Sequence, residues 1–88
     1  MAEVFQAEIV SADCVVWEGD VIQLTATTSE GEVGILANHI PLIATLAVGP
    51  AKVTTPDGER RSFEVKGGFI SVTGSRAAVI SPYAVQLR

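Results

Sequence analysis

The sequence predicts an all-β fold: an antiparallel β-sandwich or flattened barrel of about ten short strands. Three observations support this class. Apolar and polar residues alternate with a period of two in several segments, turn-forming residues recur at intervals of roughly 8–12 positions, and no segment sustains a helical period. The 88 residues form one domain, 1–88, which is long enough to bury a core.

The first half of the chain supplies several of the predicted strands. Residues 5–9 alternate between apolar and polar side chains. A short apolar run follows at 14–17, and we expect the polar and glycine residues 18–20 to close it. Residues 22–27 alternate again and include threonines, which favour strands because they branch at Cβ. A brief strand at 33–36 follows a turn.

The second half depends on an apolar run at 42–48, followed by Gly49 and Pro50. Because this run is short and apolar on both faces, it predicts a buried strand, which we expect Gly49 and Pro50 to end. The turn at 56–58, Pro-Asp-Gly, predicts a hairpin. We expect this hairpin to join strands at 51–55 and 60–66. A Gly-Gly break follows, and after it we expect strands at 69–72 and 77–80 and a tail at 83–88.

Composition and charge exclude several classes of partner. The net charge of −4 argues against nucleic acid and against direct docking on an anionic membrane, since both need clustered Lys and Arg. The single cysteine, Cys14, cannot form an internal disulfide, which is consistent with a reducing compartment. The N-terminus has no signal-peptide pattern, and no apolar run is long enough to span a bilayer. We therefore expect a cytosolic domain with any membrane link made through a partner.

Motifs for chemistry are weak in this sequence. Cys14 and His39 are too few for a zinc site, which needs three or four ligands. There is no GxSxG nucleophile motif, and the glycines of 31–34 lack the GK[ST] ending of a phosphate-binding loop. Glu30 and Glu32 could form an acid–base pair, but a solvated turn explains them better. The sequence predicts no catalytic residue, no metal, no cofactor and no bound nucleotide.

Three functional hypotheses remain from the residues alone. The runs at 42–48 and 77–80 are apolar on both faces, which favours a protein-binding surface. An acyl-carrier domain of the biotinyl or lipoyl type would use Lys66, beside Gly67 and Gly68. A small hydrolase would use His39.

One stretch organises the chain: residues 29–42, SEGEVGILANHIPL. Its glycines and proline predict a bent, shaped loop and not a helix. This stretch resembles the signature of the epsilon subunit of F-type ATP synthases. Two further segments agree in order and spacing with the same family: VSA at 10–12 with VWEG at 16–19, and GGFISV at 67–72.

The resemblance implies a ten-stranded β-sandwich at the foot of the central stalk, with no catalytic role of its own. In the family this domain binds the gamma subunit and contacts the ring of c subunits, on the cytoplasmic side of a bacterial energy-coupling membrane. By matching positions, Glu30, Glu32 and His39 would face the c-ring. The contacts with gamma would include positions that match three residues: Ser11, Leu42 and Ile43.

The sequence departs from the family pattern in two places. Ala37 and Asn38 stand where members often have Pro-Gly, and Asn can take the left-handed backbone that the glycine would have taken. Most members continue into a C-terminal helical hairpin that brakes ATP hydrolysis, and we expect this chain to lack it.

Overall fold

The computed structural model describes residues 3–12, 14–38 and 40–87. These residues contain strands and turns but no helix, so none of the described segments could cross a membrane as a helix. The described strands are β1 (Phe5–Val10), β2 (Val15–Val21), β3 (Gln23–Thr28), β4 (Gly31–Ile35), β5 (Leu42–Thr54), β6 (Arg60–Lys66), β7 (Phe69–Thr73), β8 (Arg76–Ile80) and β9 (Ala84–Gln86).

The strands form two layers that share β5. In the first layer, β2, β1, β8 and β7 lie side by side, and β7 pairs with the first residues of β5. In the second layer, the rest of β5 lies between β3 and β6, with β4 and β9 at the edges. The predicted all-β sandwich is confirmed, with one exception to its antiparallel character: β1 and β8 run parallel.

The core fills the space between the layers with alternate residues of each strand. Every second residue of β1 is buried, and Phe63 and Val65 of β6 are buried as expected from the alternation. Trp17 of β2 packs at an angle to Phe63, with 6.1 Å between the ring centroids. The core is built from the inward-facing side chains, so the outward-facing side chains can be polar or can contact a partner without altering it.

β5 contradicts the prediction that Gly49 and Pro50 end a strand. Thr28 pairs with Leu46 and Ala26 with Ala51, so the intervening Thr27 faces residues 47–50 across a bulge. Pro50 has no backbone N–H, and a bulge is a position where this missing donor is tolerated. The Pro50 carbonyl accepts a hydrogen bond from the Thr27 hydroxyl at 3.3 Å. The bulge bends the strand, which thereby passes from one layer to the other.

Two further element boundaries differ from the prediction. β2 continues through residues 18–20, because each of them pairs with β1 and the polar side chains point outward. Within the predicted tail at 83–88, Ala84–Gln86 forms a further strand, β9, on the edge of β6. The predicted hairpin at 56–58 is confirmed by the pairing of β5 with β6 and by Gly58, whose φ is +89°.

Candidate protein-docking surfaces

The outer face of the first layer carries an exposed apolar surface, which we call the apolar strip. Strand register places Val15 beside Val10, Val10 beside Ile80, and Ile80 beside Phe69. Ile43 of β5 also faces outward, beside Ser71 of β7 and one outward position along from Thr45, which is the partner of Phe69; we count Ile43 with the strip. Phe69 is 42% exposed and Ile43 is 75% exposed. Both are apolar at outward positions of their strands, where polar residues would also fit. Val10 and Ile80 are half-buried, and Ser71 and Thr45 lie between Phe69 and Ile43. Exposed apolar side chains grouped on one face of a small domain favour a protein-binding surface.

Acidic side chains border the apolar strip on β1 and β2. Glu8 lies directly opposite Glu18. Asp20 pairs in register with Gln6, and the side-chain amide of Gln6 donates a hydrogen bond to the Asp20 carboxylate. Like charges directly opposite each other on a sheet are unfavourable. Their presence beside an exposed apolar strip suits a partner that brings positive charge to the rim of the contact.

The predicted gamma-contacting residues divide between the two sides of the first layer. Ile43 points outward and belongs to the apolar strip. Ser11 directly follows Val10, at the opposite end of the strip, and its backbone N–H donates to the Cys14 carbonyl at 2.9 Å. Leu42 points inward, pairs with Val72 and packs against the core. Of the three, Ile43 lies on the outer face of the first layer and Ser11 lies next to Val10, and their contact with gamma stays a prediction.

The hairpin that joins β3 to β4 presents the two predicted ring-facing glutamates. The Thr28 hydroxyl donates to the Gly31 carbonyl at 2.6 Å and accepts from the Glu30 N–H at 3.2 Å, which fixes the turn. Gly31 has a φ of +121°, which favours glycine. Glu30 and Glu32 are both exposed, on the tip and on the first residues of β4.

The hairpin tip lies apart from the described residues that follow β4, 36–38 and 40–41, which we call the connection. The tip lies at the start of β4 and the connection follows its end, so the length of the strand, roughly 13 Å by strand rise, lies between them. His39, the third predicted ring-facing residue, lies outside the described residues. On either side of it, Leu36 is 59% exposed and Ile40 is 75% exposed. Asn38 has a φ of +64°, which confirms that Asn takes the left-handed conformation here.

The outer face of the second layer is chemically different. It holds a shallow polar groove of about 410 Å³, in which Lys52 and Arg60 form no ion pair with another described residue. The groove, which we call the polar groove, is lined by Gln23, Thr25, Lys52, Val53, Thr54, Arg60 and Ser62.

Metal-ligating side chains are not clustered on the described part of either surface. Among the described residues no group of three His, Cys, Asp or Glu side chains could hold a metal ion. Lys66, the residue an acyl carrier would modify, lies with its ammonium group 4.5 Å from the centroid of the Tyr83 ring. Lys66 is exposed, at the end of β6 directly before Gly67 and Gly68.

The sequence missed most of the apolar strip. It singled out 77–80, which contains Ile80, and 42–48, which contains Ile43, because both runs are apolar on two faces. Val10, Val15 and Phe69 gave no such signal, because only the register of β1, β2, β7 and β8 brings them together.

Comparison with protein families gives a match to the model described as ATP synthase, Delta/Epsilon chain, beta-sandwich domain, over residues 4–86. The chain is 43% identical over 86 residues to the ATP synthase epsilon chain of Dichelobacter nodosus, covering 98% of this chain and 60% of that protein. It is 36% identical over 84 residues to the ATP synthase epsilon chain of Streptomyces avermitilis, covering 96% of this chain and 68% of that protein. The chain thus spans about 60% of the length of the Dichelobacter relative.

Solved structures show the same fold. A chain in the mitochondrial ATP synthase of Euglena gracilis, solved with its F1 part and c-ring, superposes with a TM-score of 0.88 at 27% identity, covering 99% of this chain and 55% of that one. A chain of the central stalk and c-ring assembly from Tetrahymena thermophila gives a TM-score of 0.75 at 16% identity, covering 94% and 66%. The second likeness supports the fold alone.

Proposed function

Because the chain belongs to the family of ATP synthase delta/epsilon-chain β-sandwich domains, we propose that it is a non-catalytic rotor component, held between a gamma subunit and a c-ring. In this role it couples proton-driven rotation of the ring to ATP synthesis at the catalytic head. It is expected on the cytoplasmic side of a bacterial energy-coupling membrane, attached through the complex.

The observation that carries this proposal is the apolar strip. Ile43 and Phe69 expose apolar surface on a rigid sheet, where burial by a partner gains roughly 25 cal/mol per Å². A standard interface of about 1,600 Å² in total would hold gamma stably. Torque transmission also needs a stiff body, and a close-packed core between two sheets resists deformation.

Charge supports a second contact at the β3–β4 hairpin. Glu30 and Glu32 are exposed at its tip, and the ring loops of the family are typically basic. Opposite charges across such a contact set its orientation and speed its formation more than they add affinity.

The two rival hypotheses have less support. The acyl-carrier hypothesis requires Lys66 at a hairpin tip, whereas Lys66 is the last residue of β6 and its ammonium group lies 4.5 Å from the centroid of the Tyr83 ring. An intact mass without an acyl adduct would exclude it. The hydrolase hypothesis depends on His39, and loss of activity in His39→Ala would be its test.

The first experiment purifies the chain together with gamma and measures co-elution at micromolar concentration. We expect one complex. Separate migration of the two proteins would contradict the proposal.

The second experiment tests the ring contact in reconstituted vesicles. We expect Glu32→Lys to weaken coupling of proton flow to ATP synthesis without changing the unfolding free energy of the domain. The matched control is Glu64→Lys, which makes the same charge change on the outer face of the second layer. Unchanged coupling in Glu32→Lys, or equal losses in both variants, would remove the ring contact from the proposal.

A further inference from the structure

Two exposed cations line the polar groove on the outer face of the second layer. Lys52 of β5 lies opposite Ser62, and Arg60 of β6 lies opposite Thr54, so the two cations are diagonal neighbours across this strand pair. Diagonal positions of an antiparallel pair are roughly 7–8 Å apart, a distance that long side chains can span. Lys52 and Arg60 can therefore contact one ligand from two sides.

The positive charge of the groove is not compensated within the described part of the chain. Glu59 directly precedes Arg60, but its carboxylate pairs with Arg61 at 2.9 Å. Glu64 shares the outward face of β6, yet it neither lines the groove nor pairs with Lys52. The lining thus holds Lys52 and Arg60 but no carboxylate, although the net charge of the chain is −4. A concave surface of one sign concentrates ions of the opposite sign.

The rest of the lining supplies neutral hydrogen-bond donors. Thr25, Thr54 and Ser62 contribute hydroxyls, and Gln23 contributes an amide, all from outward positions of their strands. Among the residues that the structure describes, none of these four side chains forms a hydrogen bond with another protein group. They can donate to the oxygens of a bound anion without losing a bond inside the protein.

The groove has the size of a small-molecule site and stays open toward β4. Its volume is about 410 Å³, which falls in the range of pockets that hold small ligands. On the β4 side, Gly34 lies opposite Thr25, so no side chain closes the groove there. A Cβ at Gly34 would meet only Thr25, at 3.9 Å, which is an ordinary contact. Packing therefore does not require a glycine at this position, whereas access to the groove benefits from it.

We propose that the polar groove binds a small phosphate-bearing molecule, whose phosphoryl oxygens contact Lys52 and Arg60 and whose remaining acceptors take hydrogen bonds from the neutral donors. A phosphoryl group brings up to two negative charges and three acceptor oxygens, whereas a carboxylate brings one charge and two oxygens. Two cations and several donors match the phosphoryl group better. Arginine offers a planar fork of donors and lysine a compact charge, and proteins use both to bind phosphate.

The probe for this site is inorganic pyrophosphate, titrated into the intact isotope-labelled chain while the amide NMR signals are recorded. Constant ionic strength, adjusted with sodium chloride, keeps general screening equal throughout. We expect saturable shifts at Thr25, Lys52, Thr54 and Ser62, with a Kd on the order of 1 mM. Acetate at the same ionic strength should leave these signals in place, because it brings a single charge.

Charge-removing variants identify the cations that hold the probe. Lys52→Gln and Arg60→Gln should each weaken pyrophosphate binding about tenfold, since each removes a charge-assisted hydrogen bond. The matched control is Arg76→Gln, which makes the same charge change on β8 of the first layer and should alter the Kd less than about twofold. Thr54→Glu places a carboxylate opposite Arg60 and should abolish saturable binding. Unchanged signals from the buried core show that each variant remains folded.

Three outcomes would overturn the site: no saturable shift in the groove, equal shifts with acetate, or equal weakening by Lys52→Gln and Arg76→Gln. The inference goes beyond the proposed function, and none of its measurements involves gamma. Failure of pyrophosphate binding would therefore leave the rotor proposal standing, and separate migration of the chain and gamma would leave the phosphate site standing.

Discussion

The two outer faces of this sandwich differ in chemistry although the same strand contributes to both. The first part of β5 gives Ile43 to the apolar strip, and its last part gives Lys52 and Thr54 to the polar groove. Inward positions are apolar in both layers, because the core requires it. Outward positions face solvent and need not be apolar for folding, so the difference between the faces indicates that one of them is reserved for a partner.

The largest expected effect concerns the glycines that shape the two layers. Gly68 and Gly58 have nearly equal φ values of +93° and +89°, but a Cβ at Gly68 would lie 2.0 Å from the Ile80 carbonyl oxygen, and one at Gly58 meets nothing within 4 Å. We expect Gly68→Ala to lower the free energy of unfolding by about 3 kcal/mol or more, through strain and overlap together. Urea unfolding measures this loss.

Gly58→Ala is the matched control, since it changes the same backbone conformation without the overlap. It should cost only about 1 kcal/mol. Equal costs for the two variants would mean that the close approach of Gly68 to β8, which brings Phe69 beside Ile80, does not constrain the first layer.

The next effect compares the faces directly as binding surfaces. Ile43→Glu and Thr54→Glu place the same charge on the same strand, on the first and the second outer face. We expect Ile43→Glu to weaken gamma binding about 100-fold, or about 2.7 kcal/mol, because it buries an unpaired carboxylate in an apolar contact. Thr54→Glu should change the affinity less than about threefold. Calorimetry with purified gamma measures both, and a reversed order would move the docking surface to the polar groove.

Sequence periodicity predicted the strands and their inward faces well. The alternation predicted at 5–9 agrees with the burial of Phe5, and the strand predicted at 60–66 buries Phe63 and Val65, while Pro-Asp-Gly predicted the hairpin. It could not predict that β5 continues through Pro50, because the bulge depends on β3 and on the Thr27 hydroxyl. The parallel pairing of β1 with β8 was also hidden, since it joins segments about seventy positions apart.

The docking surface was less predictable than the fold. Two-sided apolar runs identified Ile43 and Ile80, since one face of such a strand must lie outside the core. Phe69 appeared only as part of a family motif, because its exposure follows from the register of β7 with β8. The grouping of Glu30 and Glu32 with His39 came from the resemblance alone and stays a prediction, since His39 lies outside the described residues.

A smaller effect is expected where the chain crosses from the first layer to the second, between β8 and β9. Ser81 is 2% exposed, and its hydroxyl donates to the Tyr83 carbonyl at 2.7 Å and accepts from the Lys66 and Tyr83 N–H groups at 3.3 and 3.2 Å. Ser81→Ala leaves these groups with fewer partners and should cost about 1–2 kcal/mol of unfolding free energy. Ser71→Ala, on the outer face of β7, should cost less than about 0.5 kcal/mol. Equal costs would show that the crossing does not depend on the hydroxyl.

The smallest effect lies at the tip of the hairpin between β5 and β6, which belongs to the second layer. The Thr55 hydroxyl donates to the Asp57 carboxylate, and this bond, with help from the Glu59 N–H and the Arg61 charge, lowers the pKa of Asp57 below its ordinary value. A lowered pKa means that the ionised carboxylate favours folding at neutral pH, and that this contribution is lost as the pH falls through the pKa of the folded state. Thr55→Val removes the donor, so the pKa of Asp57 should rise toward its ordinary value in an NMR titration of the side-chain carboxyl.

Thr45→Val, which makes the same change on the first layer, should leave the Asp57 titration where it was. Gamma affinity should stay constant in both Thr55→Val and the original chain between pH 6 and 8, because Asp57 is fully ionised there and belongs to the second layer. An unmoved Asp57 pKa in Thr55→Val would show that the backbone and Arg61 set it instead. A change in gamma affinity would show that the hairpin tip communicates with the apolar strip, and the two faces could then no longer be treated as independent surfaces on one rigid core.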